Sequence, residues 1–162
     1  MQRLLDSFLL LNTDGLSDYL YFLPDDYDGD GKLEAFVITG NKLDDYNCNN
    51  VTVWFVANSG RCSAVEKNLY GYLSDTVKAH SDKFIVWEKN AGGSGSKSYI
   101  FGCYNDDAYQ PEISGKYGDF YMDENGVYTA FSDSFSSGYH DYVTHTFDYD
   151  FANHEFTENT SN

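Results

Sequence analysis

The chain has 162 residues, the length of a single domain, and a domain of this size buries roughly 70% of its unfolded surface, so it folds without staples. With 26 acidic against 10 basic residues it carries a net charge of −16, which repels phosphate backbones and anionic membranes and argues against a nucleic-acid partner. An aromatic fraction of 18% separates it from disordered acidic chains, and no apolar run approaches a membrane span.

Taken in order, Leu4, Leu5, Phe8, Leu9 and Leu11 recur at helical spacing and predict a short amphipathic helix over residues 2–11 that covers a sheet. The opening Met1 to Asp6 does not read as an export signal, because Asp6 interrupts the apolar run. Residues 18–23 read as a strand, with Pro24 expected to stop it.

The next nine residues, Asp26-Tyr27-Asp28-Gly29-Asp30-Gly31-Lys32-Leu33-Glu34, are the most informative stretch. Carboxylates at loop positions 1, 3, 5 and 9 with glycine at 6 supply what a hard cation needs from a short turn, several oxygens converging on one point. By analogy with an EF-hand, the Lys32 carbonyl would contribute at position 7. Position 12, however, is Val37 rather than Glu, and residues 35–39 are apolar and β-branched, so a strand and not a helix follows. Glu34 is then the closing ligand, and Asp25 lies outside the register. The alternative is an acidic glycine-rich hairpin that binds nothing, since Asp-Gly is itself a hairpin signal.

The pattern D-x-D-G-D-G-x-x-E entering a strand resembles the calcium loops of FG-GAP and VCBS-type repeats, and the single loops of this kind in secreted proteins and lipoproteins of Gram-positive bacteria. The resemblance implies a Ca2+ ion between two β-strands, held by Asp26, Asp28, Asp30, the carbonyl of Lys32 and Glu34, in a protein outside the cell or on its surface. The chain carries one copy of the loop and no internal period, which argues against a propeller.

Beyond the loop, residues 51–57 and 84–88 are apolar on both parities and predict strands covered on both faces. A partner strand is expected over 62–65 and a short helix over 66–82, where Leu69, Leu73 and Val77 fall four apart. Further strands are predicted over 98–104, 118–123 and 127–131, the last two joined by Asn125-Gly126. A long alternating strand places Val143, His145, Phe147, Tyr149 and Phe151 on one face, and a turn at 152–154 returns to Phe156. The expected fold is mainly β, one domain over 1–157 with a frayed tail over 158–162. An antiparallel meander would form a β-sandwich or an open curved sheet, with the N-terminal helix and one more.

Cys48, Cys62 and Cys103 have no metal or redox spacing; Cys48 and Cys62 could bridge, or all three are free thiols. Enzymatic motifs fail on inspection: in Gly92-Gly93-Ser94-Gly95-Ser96, Ser96 stands where a nucleophile elbow needs glycine, so residues 90–97 read as a hairpin tip. His140 and His145 face opposite sides of a strand and cannot share an ion, and His145 reads as a hydrogen-bonded core histidine. His80 and His154 carry no motif. Trp54 and Trp87 are expected in the core, and Tyr117, Tyr121, Tyr128, Tyr139 and Tyr142 at the surface.

The leading expectation is a calcium-stabilised, monomeric β domain with a binding or structural role at the cell surface, recognising a protein or glycan. Two others stand beside it. One is an acidic inhibitor that imitates nucleic acid, and the other is a hydrolase whose site calcium holds together.

Overall fold

The computed structural model describes residues 2–11, 19–90, 95–136 and 139–159. Among these residues helix α1 (Gln2–Leu11) is followed by eleven strands: β1 (Tyr19–Asp25), β2 (Glu34–Lys42), β3 (Cys48–Val56), β4 (Cys62–Ala79), β5 (Asp82–Asn90), β6 (Ser96–Tyr104), β7 (Asp107–Tyr109), β8 (Gly118–Met122), β9 (Tyr128–Ser136), β10 (Tyr139–Asp150) and β11 (Glu155–Glu158). The mainly β, antiparallel meander read from the sequence is what forms. Strands β1 to β7 make a seven-stranded sheet in sequence order, and β8 to β11 make a second sheet of four. Among the described residues no helix is long and apolar enough to cross a membrane.

The seven-stranded sheet curls until Phe36 of β2 meets Phe101 of β6, ring centroids 6.4 Å apart. Its concave face buries Phe36, Ile38, Val53, Phe55, Ile85, Trp87 and Phe101 in one cluster. The convex face is covered twice. At the β2–β3 end Leu4 and Phe8 of α1 pack on Ala35, Val37 and Val56. At the β4–β6 end the four-stranded sheet packs Phe120, Ala130, Phe147 and Phe156 on Phe84, Val86 and Ile100. This is why β2 and β5 are apolar on both parities: each odd or even set meets a different layer.

Three expectations change. The helix over 66–82 is instead part of β4, 18 residues long. A spacing of four satisfies a period of two as well as 3.6, and the buried Leu69, Gly71, Val77 and Ala79 share one parity. At Gly71 this strand changes partner from β3 to β5. Gly71 has φ +130° there, and a Cβ would lie 1.8 Å from the Glu88 carbonyl oxygen, so the crossing requires glycine. Pro24 does not stop β1 but sits inside it opposite Ala35, tolerated because β1 is an edge strand. Cys48 and Cys62 are not joined by a disulfide. Cys48 lies opposite Gly71 and Cys62 opposite Val56. They therefore sit at opposite ends of the β3–β4 pair, about 25 Å apart at strand rise, and cannot bridge.

Trp87 is fully buried, while Trp54 is half-buried against Phe8 and donates from Nε1 to Thr39 Oγ1 at 3.1 Å. Tyr128, expected at the surface, is 9% exposed and donates to the Lys78 carbonyl at 3.1 Å, while Tyr139 and Tyr142 are open to solvent. His145 is half-buried and bonded at both ring nitrogens, Nε2 to Ser132 Oγ at 2.7 Å and Nδ1 to Glu158 at 2.6 Å. Val143, on the same parity of β10, is exposed, and Phe151, also exposed, falls in the turn after β10 rather than on the strand. Glu158 ends β11, and Asn159 N donates to the Thr146 carbonyl at 2.8 Å. Residues 91–94 of the tip expected over 90–97, together with His140's side chain and residues 160–162, lie outside the described residues.

Candidate metal centre

The acidic loop joins β1 to β2, and the sequence folds it by local hydrogen bonds. Gly29 and Gly31 take φ of +74° and +84°, open to glycine without strain. These turns direct the Gly31 N–H to Asp26 Oδ2 at 3.1 Å and the Asp30 N–H to Asp28 Oδ1 at 3.2 Å, curling the chain around its own carboxylates. Tyr27 anchors the loop from below: its ring is 3% exposed, edge-on to Phe36 at 4.8 Å, and its hydroxyl donates to the Leu23 carbonyl at 2.9 Å. Its own carbonyl accepts the Lys83 N–H at 2.9 Å, tying the loop to the start of β5.

Asp26, Asp28 and Glu34 each offer an oxygen, and these lie within 4.8 Å of one another. Oxygens bound to one calcium ion at 2.3–2.6 Å are at most about 5.2 Å apart, so the spacing fits a shared ion. Among the described residues Asp26 Oδ1 is buried with no hydrogen-bond partner. Glu34 is 1% exposed, and its carboxylate accepts the Tyr27 N–H at 3.2 Å. Burial, opposed by that bond and assisted by the carboxylates of Asp28, Asp30 and Asp106, pushes Glu34 up to about 7. Hard oxygen donors, one orphaned and one desolvated without a cation, suit Ca2+.

The fourth expected carboxylate is arranged differently. Asp30 accepts the Lys32 N–H at 2.8 Å and pairs with the Lys32 ammonium, outside the cluster of three. Asp25, outside the register, pairs with the Lys83 ammonium and accepts the Asp26 N–H at 2.8 Å, which steadies the loop's first residue.

Sequence reasoning missed the turn between β6 and β7. Asn105 and Asp106, at φ +51° and +61°, form a tight left-handed turn that lies against the loop. The Asp106 N–H reaches Asp28 Oδ2 at 3.5 Å, and Asp106's own carboxylate accepts the Asn58 and Ser59 N–H groups. Cys103 Sγ lies 3.9 Å from Asp28 Oδ2, and burial pushes its thiol well above the ordinary range. The only local signal was the Asn-Asp pair between two strand-like runs, which marks a hairpin turn but not what the turn touches.

No protein-family model matches the chain, and neither a curated protein nor a solved structure matches it.

Proposed function

We propose that this chain is a calcium-stabilised β domain that works outside the cell or on its surface as a monomeric binding or structural module for a protein or glycan. One observation carries the reading: the buried, unpartnered Asp26 Oδ1 beside the buried Glu34 carboxylate, in a loop where Asp28 supplies a third oxygen within 4.8 Å. A cluster of this kind repels itself unless a cation joins it. The residues that would hold the ion are Asp26, Asp28 and Glu34, with Asp30 and the Lys32 carbonyl completing the shell. The ion would supply charge neutralisation and fasten three segments: the β1–β2 hairpin, the start of β5 through Tyr27, and the β6–β7 turn through Asp28.

This role is structural, and it suits a compartment where calcium is abundant. For a site of about 10 μM dissociation constant in about 1 mM calcium, mass action contributes about 2.7 kcal/mol, or roughly 5–10 °C for a domain of this length. Thermal unfolding in calcium and in chelator tests it. The expected result is a calcium-dependent rise of that order that is absent in Asp28→Asn. A melting temperature indifferent to chelator would overturn the reading.

A further inference from the structure

A second site stands apart from the acidic loop, in a cleft of about 470 Å³ between the β6–β7 turn and the β10–β11 turn. That volume is in the range of small-molecule sites. Its walls include the rings of Tyr104 and Tyr109 and the side chains of Asp107, Gln110, His154 and Glu155.

Behind the cleft is a buried polar network. Asp82, 2% exposed at the start of β5, accepts the Tyr149 hydroxyl at 2.5 Å and His154 Nδ1 at 3.0 Å. The Tyr149 hydroxyl also meets the Tyr109 hydroxyl at 3.1 Å. Burial, followed by the bond to Asp82, pushes the Tyr149 hydroxyl well above its ordinary range, so it stays a donor. In the neutral imidazole the carboxylate fixes the tautomer of His154: Nδ1, which also lies 3.2 Å from the Tyr149 hydroxyl, carries the proton toward Asp82, and Nε2 is then the acceptor. Nε2 makes no hydrogen bond among the described residues. The ring is locked from the other side by Tyr104, centroids 3.9 Å apart, and the His154 backbone is left-handed at φ +55°.

Most polar atoms of the cleft that remain uncommitted are acceptors. Gln110 donates one N–H to Glu66 at 3.3 Å and accepts from Ser114 at 3.0 Å, and Asn153 donates one N–H to Asp150 at 2.7 Å. Asp107 gives Oδ1 to Arg61, and Glu155 gives Oε2 to the Glu112 N–H at 2.8 Å, so each keeps one oxygen. Together with His154 Nε2 these two carboxylates make the acidic side of the cleft, and the donors beside them are the Tyr104 hydroxyl and the second amide N–H of Gln110 and of Asn153. A ligand that satisfies the acidic side must bring donors and positive charge, and two tyrosine rings beside it suit a cation.

We propose that the cleft between Tyr104, Tyr109, His154 and Glu155 binds a small organic cation bearing a primary ammonium group. The ammonium donates to His154 Nε2 and the Glu155 carboxylate while its carbon chain lies on the tyrosine rings. The proposal does not rest on the calcium reading.

The test is a nuclear magnetic resonance titration of the calcium-saturated protein with n-butylammonium chloride, tetramethylammonium chloride and methyl glucoside. Sodium chloride at about 150 mM screens diffuse attraction to an acidic surface. Saturable amide shifts confined to residues 104–110 and 152–155 are expected with n-butylammonium alone. Loss of one charge-assisted hydrogen bond in Glu155→Gln should weaken binding by about tenfold. Tyr104→Ala, which removes one of the two rings from the cleft, should weaken it as well. Linear shifts scattered over the acidic surface would overturn the proposal. So would an equal response to tetramethylammonium, which has no N–H, or saturation by the neutral glucoside.

Discussion

At the scale of single residues, the candidate metal loop sets two charges against each other. Asp28 faces inward, within reach of Asp26, Glu34 and the Asp106 N–H, whereas Asp30 is held outward by Lys32. These positions lead to opposite predictions for substitutions four residues apart. Asp28→Asn removes a charge from the centre of the cluster and should weaken calcium binding by about a hundredfold or more, enough to remove nearly all of the stabilisation at about 1 mM calcium. Lys32→Gln releases Asp30 from its ion pair and should tighten it by about threefold, a modest change because the pair is exposed to solvent. Competition against a calcium-sensitive chelator measures both. Equal affinities in the wild type and the two variants would mean that the loop's carboxylates do not converge on an ion. Asp26, Asp28 and Glu34 could be recognised from sequence because the spacing of a nine-residue loop is a local property. Asp106 and Cys103 could not, since more than 70 residues separate them from the loop and only the curl of the large sheet brings them to Asp28.

At the scale of elements, Glu88 shows how the two sheets are joined. It lies on β5 at 1% exposure, accepts the Ser98 hydroxyl at 2.6 Å, and accepts the Asp119 N–H of β8 at 3.3 Å. Ser98 Oγ in turn accepts the Phe120 N–H at 2.9 Å. Burial raises the Glu88 carboxyl above its ordinary value of 4.5, outweighing the hydrogen bonds that favour the ion. A folded pKa above the unfolded one means that this group's contribution to stability is fully present below about 4.5 and is lost as pH climbs through the folded value. Glu88→Gln cannot ionise, so the stability difference between variant and wild type should move in the variant's favour as pH rises from about 4.5. Denaturant titrations at several pH values would show it, and a difference that stays flat would mean that Glu88 is not desolvated. Strand patterning revealed much of this level of the fold, because apolar residues on both parities of β3 and β5 announced layers on both sides. It misread β4, where a spacing of four fits strand and helix alike, and it was silent on Asp82, Tyr149 and His154. Parity placed Tyr149 on a face but said nothing of a carboxylate on β5 awaiting its hydroxyl.

At the scale of the whole molecule, a net charge of −16 destabilises the compact state by self-repulsion, and the calcium reading must be separated from that general effect. Any cation screens. Raising sodium chloride from about 10 to about 150 mM shortens the Debye length from about 30 to about 8 Å, so the chelated protein should melt higher in the saltier buffer. Screening depends on ionic strength alone, whereas a site responds to the identity of the ion and saturates. Calcium at about 1 mM adds little ionic strength, yet it should raise the melting temperature of the protein in about 150 mM salt, where diffuse attraction is already weak. Magnesium at the same concentration, smaller and held more tightly by its water, should do less. In Asp28→Asn the sodium chloride response should persist, since only one of 26 acidic groups has changed, while the calcium response should vanish. If calcium and magnesium acted alike in both proteins, the effect would belong to the acidic surface as a whole, and the loop would be an ordinary hairpin turn.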